Sequence, residues 1–350
     1  MSTAKSATLL GIVGLASVGC VPDLEEDLSQ LREPRLLALG ATPAEAREGQ
    51  TTTLRALVAA PEGSIAPTPD FRLCVARKPL TELGPVNPVC LEDDDGSGSA
   101  VQALGSGLEV SAALPKDACK LFGPLRPAPV EGEPSGRPVD PDVSGGFYQP
   151  FVADLASVLS IGGIRIDCDL ATASRDDSSI YRQRYRPNEN PLITRVDLLD
   201  DGDTLLLDDR GSRRQVRAGA TLELSAGWDD CPTESTCGDG FCTANEDRVS
   251  CAEDCTEPHG CGGSEQYFWY DAKGRAVKAR REGLVVAWYA SRGRFAEEQT
   301  GFDEAQAASA RRTRNRWMVG DQPGLATVWL VIRDSRGGQS WRSLYFTVAP

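Results

Sequence analysis

The residues of this chain best able to do chemistry are thiols and carboxylates. Six cysteines fall between Cys231 and Cys261, and four more stand at Cys74, Cys90, Cys119 and Cys168. Crowded thiols either oxidise to disulfides or hold zinc as thiolates. Cys237, Cys242, Cys251 and Cys255 are spaced C-x4-C-x8-C-x3-C, without the paired C-x2-C knuckles of a zinc ribbon. Disulfides are therefore expected, two in the first half and three in the dense stretch. Asp239, Asn245, Glu246, Asp247 and Asp254 lie among these cysteines and offer the hard oxygen atoms that calcium takes. Of these, Asp239, Asn245, Glu246 and Asp254 are the candidate metal ligands, although the spacing is not that of an EF-hand. No cofactor other than calcium is expected. The single histidine, His259, sits beside Pro258 in the same stretch. Nucleophilic catalysis needs a positioned base, and no G-x-S-x-G, H-E-x-x-H or G-x-x-x-x-G-K motif occurs. No enzyme activity is expected.

An eleventh cysteine, Cys20, stands apart. Lys5 and an apolar run from Ala7 to Gly19 precede it. That run is too short to span a bilayer but suits the core of a signal peptide. A cut before Cys20 would free a thiol and an amine for acylation. Setting Cys20 aside leaves ten cysteines, an even number for pairing. The stretch Leu15-Ala16-Ser17-Val18-Gly19-Cys20 resembles the lipobox of bacterial lipoproteins, with Ser17 where leucine is usual. The resemblance implies a lipid anchor at Cys20, a membrane partner through it, and a place at the outer membrane or cell surface. Val21, not Asp, follows the cysteine, so no retention signal for the inner membrane is evident.

Acidic residues outnumber basic ones 51 to 37, giving a net charge of −14. Nucleic-acid binding releases counterions through clustered Lys and Arg, so a nucleic-acid partner is not expected. The same surplus disfavours attraction to anionic headgroups, leaving acyl chains to hold the protein to a membrane. The strongest basic cluster, Arg311-Arg312-Thr313-Arg314-Asn315-Arg316, is expected to be a charged loop.

These groups need a frame, and the frame is written twice. Arg47 to Ala56 and Arg217 to Ala226 both read R-x-G-x-T-x-x-L-x-A. Each is a glycine turn followed by an extended run, and each follows another extended run, at Arg35–Leu39 and Ile193–Leu198. Gly283 to Ala290 predicts a strand with a core tryptophan. Gly324 to Asp334 and Trp341 to Val348, joined by Ser335-Arg336-Gly337-Gly338, predict a hairpin. In the first half Asp70–Ala76 and Gly163–Leu170 are strand candidates. Pro124–Pro150 reads as an irregular loop, Asp93–Ser99 as an exposed loop tip, and Phe151–Ser160 and Phe302–Ala310 as short helices.

On these segments the chain resembles predicted bacterial cell-surface lipoproteins with tandem Ig-like or PKD-like domains. The fold expected is all-β, two Ig-like β-sandwich domains in tandem, the second carrying a small disulfide-rich insert. The boundaries expected are a signal peptide at 1–19, an acidic tether at 20–34, domain 1 at 35–182, a linker at 183–191 and domain 2 at 192–350. The insert, 229–264, is expected to project from domain 2. It resembles a CGDGxC-type extracellular module, with Arg248 where a further cysteine is usual, so Cys231 and Cys261 are expected to join a rearranged pairing. In domain 1 the pairs favoured are Cys74 with Cys168 and Cys90 with Cys119. The function implied is non-enzymatic binding or scaffolding, with an envelope protein or glycan as partner. The alternative is a secreted hydrolase, or its accessory subunit, using carboxylates of domain 2.

Overall fold

The computed structural model describes residues 27–78, 84–92, 100–124, 146–168, 170, 173–200, 203–207, 213–231, 236–238, 240, 242–243, 246, 249–255, 261–271, 273–304, 306 and 310–350. Cys20, Asp239, Asn245, Asp247, Arg248, His259, the loop Asp93–Ser99 and most of Pro124–Pro150 lie outside the described residues.

The chain is all-β. The first half holds β1 (Arg35–Thr42), β2 (Glu45–Ala46), β3 (Thr51–Ala59), β4 (Asp70–Cys74), β5 (Val101–Ser106), β6 (Glu109–Ala113), β7 (Phe147–Leu155) and β8 (Val158–Ile166). The second holds β9 (Arg195–Asp200), β10 (Asp203–Leu206), β11 (Arg214–Arg217), β12 (Thr221–Gly227), β13 (Gln266–Asp271), β14 (Ala276–Arg281), β15 (Leu284–Ala290), β16 (Arg294–Phe295), β17 (Gln299–Phe302), β18 (Arg312–Met318), β19 (Gly324–Asp334) and β20 (Gln339–Ala349). Helices are short: α1 (Ala118–Leu121), α2 (Arg175–Arg184) and α3 (Ala252–Cys255).

Two sheets face each other in each half. In the first their orders are β1-β3-β6 and β2-β8-β7-β4-β5, and in the second β10-β9-β12-β18-β16 and β11-β20-β19-β15-β17. The halves share a set of corresponding strands, to which the second adds β10, β13, β14 and β16. A short strand pairs parallel with the last strand, β2 on β8 and β11 on β20. It then turns through a glycine of positive φ, Gly49 (72°) or Gly219 (69°), into the long strand β3 or β12. The turns close alike. Gly49 N–H bonds Leu114 O while Leu114 N–H bonds Gln50 O, and Gly219 N–H bonds Gly320 O while Val319 N–H bonds Ala220 O. The R-x-G-x-T-x-x-L-x-A repeat therefore marks one turn-and-strand used twice.

Alternation sets the faces. On β15 and β19 the even residues Leu284, Val286, Trp288, Val328, Leu330 and Ile332 enter the second core. Odd residues Ala287, Trp329 and Val331 meet Leu37, Leu57 and Ala59 of the first half. An apolar contact thus joins the halves face to face. The outer edge of β1 is closed as well. The carbonyls of Leu37, Leu39 and Ala41 accept from the side chains of Arg333, Gln339 and Asn190. Capping an open strand edge in this way removes a template for stray pairing.

Several expectations are corrected. Phe151–Ser160 is not a helix but parts of β7 and β8, which turn tightly at Ala156 and Ser157, both with positive φ. Because β7 lies between β4 and β8, Cys74 and Cys168 are not on neighbouring strands. The pairs are Cys74–Cys90 and Cys119–Cys168. Arg311–Arg316 is not a loop, since Arg312 to Met318 form β18, and no helix appears among the described residues of Phe302–Ala310. The linker of 183–191 begins in a helix and is partly buried beyond it. Residues 175–184 form α2, capped by Ser174 Oγ accepting from Asp177 N–H, and Arg186 and Asn188 beyond it are buried. The insert extends past residue 264 through the β13–β14 hairpin and lies against α2. Arg184 stacks over Phe268, and Tyr270 Oη–H donates to Asp177. The described part of the tether is docked: Ala290 N–H bonds Ser29 O, Leu31 N–H bonds Ala290 O, and Leu31 is buried.

Candidate functional site

Charged side chains that sequence patterning did not single out meet where first half, linker, insert and second half converge. Arg336, at the β19–β20 turn, is 1% exposed. The turn needs Gly337 at φ 95°, where a Cβ would come within 2.9 Å of the Tyr148 ring. From there Arg336 Nη1 donates to Glu282 (3.1 Å) and lies 3.7 Å from Glu265. Its Nη2 donates to the Arg186 carbonyl (2.7 Å) and to Glu45 (3.4 Å). The guanidinium also lies over the Tyr267 ring, 4.9 Å from its centroid.

Glu45 brings the first half in. It lies on β2, 3.2 Å from Arg165 Nε on β8, and accepts from Asn188 N–H (2.7 Å) and from Tyr185 Oη–H. Tyr148 Oη–H donates to the Arg336 carbonyl at 2.8 Å. Asp334 accepts from the N–H groups of Arg336 and Gly338, both at 2.8 Å, and from the Asn188 amide. Arg186 reaches the insert, donating to the carbonyls of Cys242 and Glu246 at 3.2 Å.

Four buried carboxylates, Glu45, Glu265, Glu282 and Asp334, thus gather around Arg165, Arg186 and Arg336. A charge leaving water must be paired or neutralised. Burial raises Glu265 to about 7, against the pull of Arg336. It also raises Glu282 and Asp334, with Arg336 again opposing. Burial works against the charge on Arg336, but Glu282 and Glu45 outweigh it and raise its pKa. Burial raises Tyr185 too, with Glu45 adding to it.

A cleft of about 590 Å3 opens beside this cluster, lined by Leu37, Leu39, Val86, Tyr148, Ile161 and Gln339 among others. None of the four carboxylates lines it. The polar groups at its wall are engaged, Gln339 with the Leu39 carbonyl and Arg333 with Leu37.

The predicted metal ligands fall differently. Cys237 pairs with Cys251, Cys242 with Cys255 and Cys231 with Cys261. Asp254 lies with the first pair and Glu246 with the second, so the two acids belong to separate groups. Asp254 accepts from the N–H groups of Gly238 (2.6 Å) and Gly240 (3.0 Å), and Glu246 from Thr243 N–H (3.3 Å). Both carboxylates fold their own loop. Bonded in disulfides, the cysteines offer no thiolate to a metal.

A faint signal for the junction exists in the sequence. Arg165 interrupts Ile164 and Ile166, and Arg336 stands in a turn where solvent exposure is the default. Their shared partner Glu45 lies 120 residues from Arg165 and 291 from Arg336.

No family model matches the chain, and the comparison with curated proteins found no match. Solved structures that match include the adhesin InvE of Yersinia pseudotuberculosis, at 9% identity over 89% of this chain and 60% of that one, with a TM-score of 0.19. Latent PorU of Porphyromonas gingivalis matches at 11% identity, over 91% and 34%, with a TM-score of 0.17. Escherichia coli alpha-2-macroglobulin matches at 10% identity, over 92% and 22%, with a TM-score of 0.20. The chain spans less than two thirds of each. TM-scores this low transfer neither function nor fold detail. Among the described residues no helix is long and apolar enough to cross a membrane.

Proposed function

We propose that this chain is a lipid-anchored protein of the bacterial outer membrane or cell surface. Its role is binding or scaffolding, with two sandwich domains acting as one stiff body. The observation that carries the reading is the junction. The side chains best suited to acid–base work are spent in holding the halves, the linker and the insert together. Rigid sandwiches present their loops and clefts to a partner, and the cleft between β1, β8 and the β19–β20 turn is a recess of that kind.

The rival reading, a hydrolase, draws on the raised Glu265, Glu282 and Asp334. Carboxylates doing such work must face substrate. These three face Arg336 and backbone amides instead. Metabolic labelling with palmitate in wild type and Cys20→Ser, with protease treatment of intact cells, tests the proposal. Label lost in Cys20→Ser and a chain cleaved from outside are expected. An unlabelled wild-type chain overturns it, and a labelled chain protected until lysis confines it to the inner face of the outer membrane.

A further inference from the structure

We infer that the outer face of β16 and β18 lies against anionic lipid headgroups of the membrane that carries the anchor. The inference rests on the anchored reading above and adds to it which face of the body meets the bilayer.

The first observation is where the leash docks. Ala290 N–H donates to the Ser29 carbonyl and Leu31 N–H to the Ala290 carbonyl, both at 2.8 Å, while Phe295 N–H donates to Ser29 Oγ at 2.9 Å. Asp27, at the outer end of this docked segment, lies 4.0 Å from Arg294 on β16. Asp27 is seven residue steps along the chain from Cys20. Fully extended, they reach at most about 25 Å. An acylated Cys20 therefore keeps the surface around Arg294 close to the bilayer.

The second observation is what that surface carries. Arg294 stands opposite Met318, and Phe295 opposite Trp317. Since Trp317 and Phe295 point into the core, Arg294 shares the outer face with Arg312, Arg314 and Arg316, at alternate positions along β18. The three β18 arginines repeat about every 7 Å. Arg314 pairs with Glu223 at 3.1 Å. Among the described residues Arg312 and Arg316 have no carboxylate within 4.0 Å. The matching strand of the first half, β6, carries Glu109, Ser111 and Ala113 on its exposed face. A row of arginines is thus peculiar to the half that holds the leash, in a chain of net charge −14. Acidity overall does not prevent such a face from meeting headgroups, because exposed charges farther off than a Debye length are screened.

The test uses the chain from Val21 onward, made without acyl groups, which keeps every described residue. It is floated with vesicles of phosphatidylcholine alone or mixed with phosphatidylglycerol. Expected is binding to the anionic vesicles only, lost as salt rises. Arg312→Gln with Arg316→Gln should weaken that binding about 25-fold, at about fivefold for each arginine near the surface. Arg312→Glu with Arg316→Glu should weaken it further. Arg175→Glu with Arg182→Glu, both exposed on α2, should leave it unchanged. Equal binding to the two vesicle types, or no response to the β18 variants, overturns the inference. Retention on a polyuronate matrix with no vesicle binding overturns it in favour of an anionic glycan. Palmitate labelling reports the anchor separately. A labelled chain with indifferent vesicles sinks this face and spares the anchor, and an unlabelled chain that floats with anionic vesicles does the reverse.

Discussion

Strands β6 and β18 hold the same place in the two halves, yet they fill their cores with very different side chains. Ala112 lies opposite Thr52 in the first half, where Trp317 lies opposite Leu222 in the second. Around Ala112 the core is Phe71 and Phe151 with Ala41, Ala46, Ala56 and Ala153. Around Trp317 it is Phe295 and Phe346, with Trp288 against Phe295 and Trp228 farther along the same core. The disulfides follow the inverse rule. Cys119 and Cys168 belong to the alanine-rich core itself, whereas the second sandwich has no bridge between its own strands among the described residues. Staples stand where apolar volume is thin, as small cores require.

The largest effect expected is from removing the aromatic anchor. Trp317 is fully buried, 4.8 Å from the Phe346 ring centroid, and donates from Nε1 to the Arg292 carbonyl at 3.0 Å. Trp317→Ala should cost about 3–5 kcal/mol. Hydrogen exchange followed peptide by peptide should show the loss in β12, β15 and β20 first. Equal loss in β3 and β7 would mean the halves unfold as one unit and the comparison of separate cores fails.

Next comes the staple. Cys119 and Cys168 are 49 residues apart, and closing a loop of that length restrains the unfolded chain by about 4 kcal/mol. Cys119→Ala with Cys168→Ala should therefore destabilise the first half by up to that amount, with the second half holding its exchange protection. If the double variant unfolds at the wild-type denaturant midpoint, the thin core does not depend on its bridge.

The junction belongs to neither core and answers to pH. Glu265 is raised from an ordinary carboxylate value to about 7, so the folded chain binds its proton more readily than the unfolded one. Its contribution is complete below about 4.5 and is lost as pH rises through about 7. At most about 3.5 kcal/mol of stability should disappear over that window, at roughly 1.4 kcal/mol for each pH unit. Glu265→Gln keeps an acceptor for Cys261 N–H and should flatten the dependence in urea titrations. A variant as pH-sensitive as wild type would shift the effect to Glu282 and Asp334, which are raised for the same reason.

Local features carried far in the sequence, and long-range ones did not. The glycine turns at Gly49 and Gly219, the Trp288 strand and the terminal hairpin all fall where their residues place them. Those features depend on φ preferences and period-two alternation, which neighbours in sequence encode. Strand β7 was missed because its turn uses Ala156-Ser157 in place of a glycine pair, and β18 because Arg312, Arg314 and Arg316 mask the inward Thr313, Asn315 and Trp317. Missing β7 also misdirected the first-half cysteine pairing. The junction was least legible. Arg336 and Glu45 are 291 residues apart, and nothing local marks a turn arginine or a strand glutamate for burial.

The smallest effect expected is the sharpest check on the repeat. Gly49→Ala and Gly219→Ala each force a Cβ into the left-handed region, at about 1–2 kcal/mol. An added Cβ at Gly49 would meet only Lys116 Cγ at 3.7 Å, and at Gly219 the Asp321 carboxylate at 3.1 Å. Both neighbours are ends or stems of flexible side chains, so the cost at each site is conformational. The two losses should then be alike, and Asn, which tolerates this backbone better, should recover part of each. Thermal unfolding of the four variants reads this directly. A loss at one glycine and none at the other would show that the shared R-x-G-x-T-x-x-L-x-A pattern hides two different turns, and the correspondence of the halves would then begin only at β3 and β12.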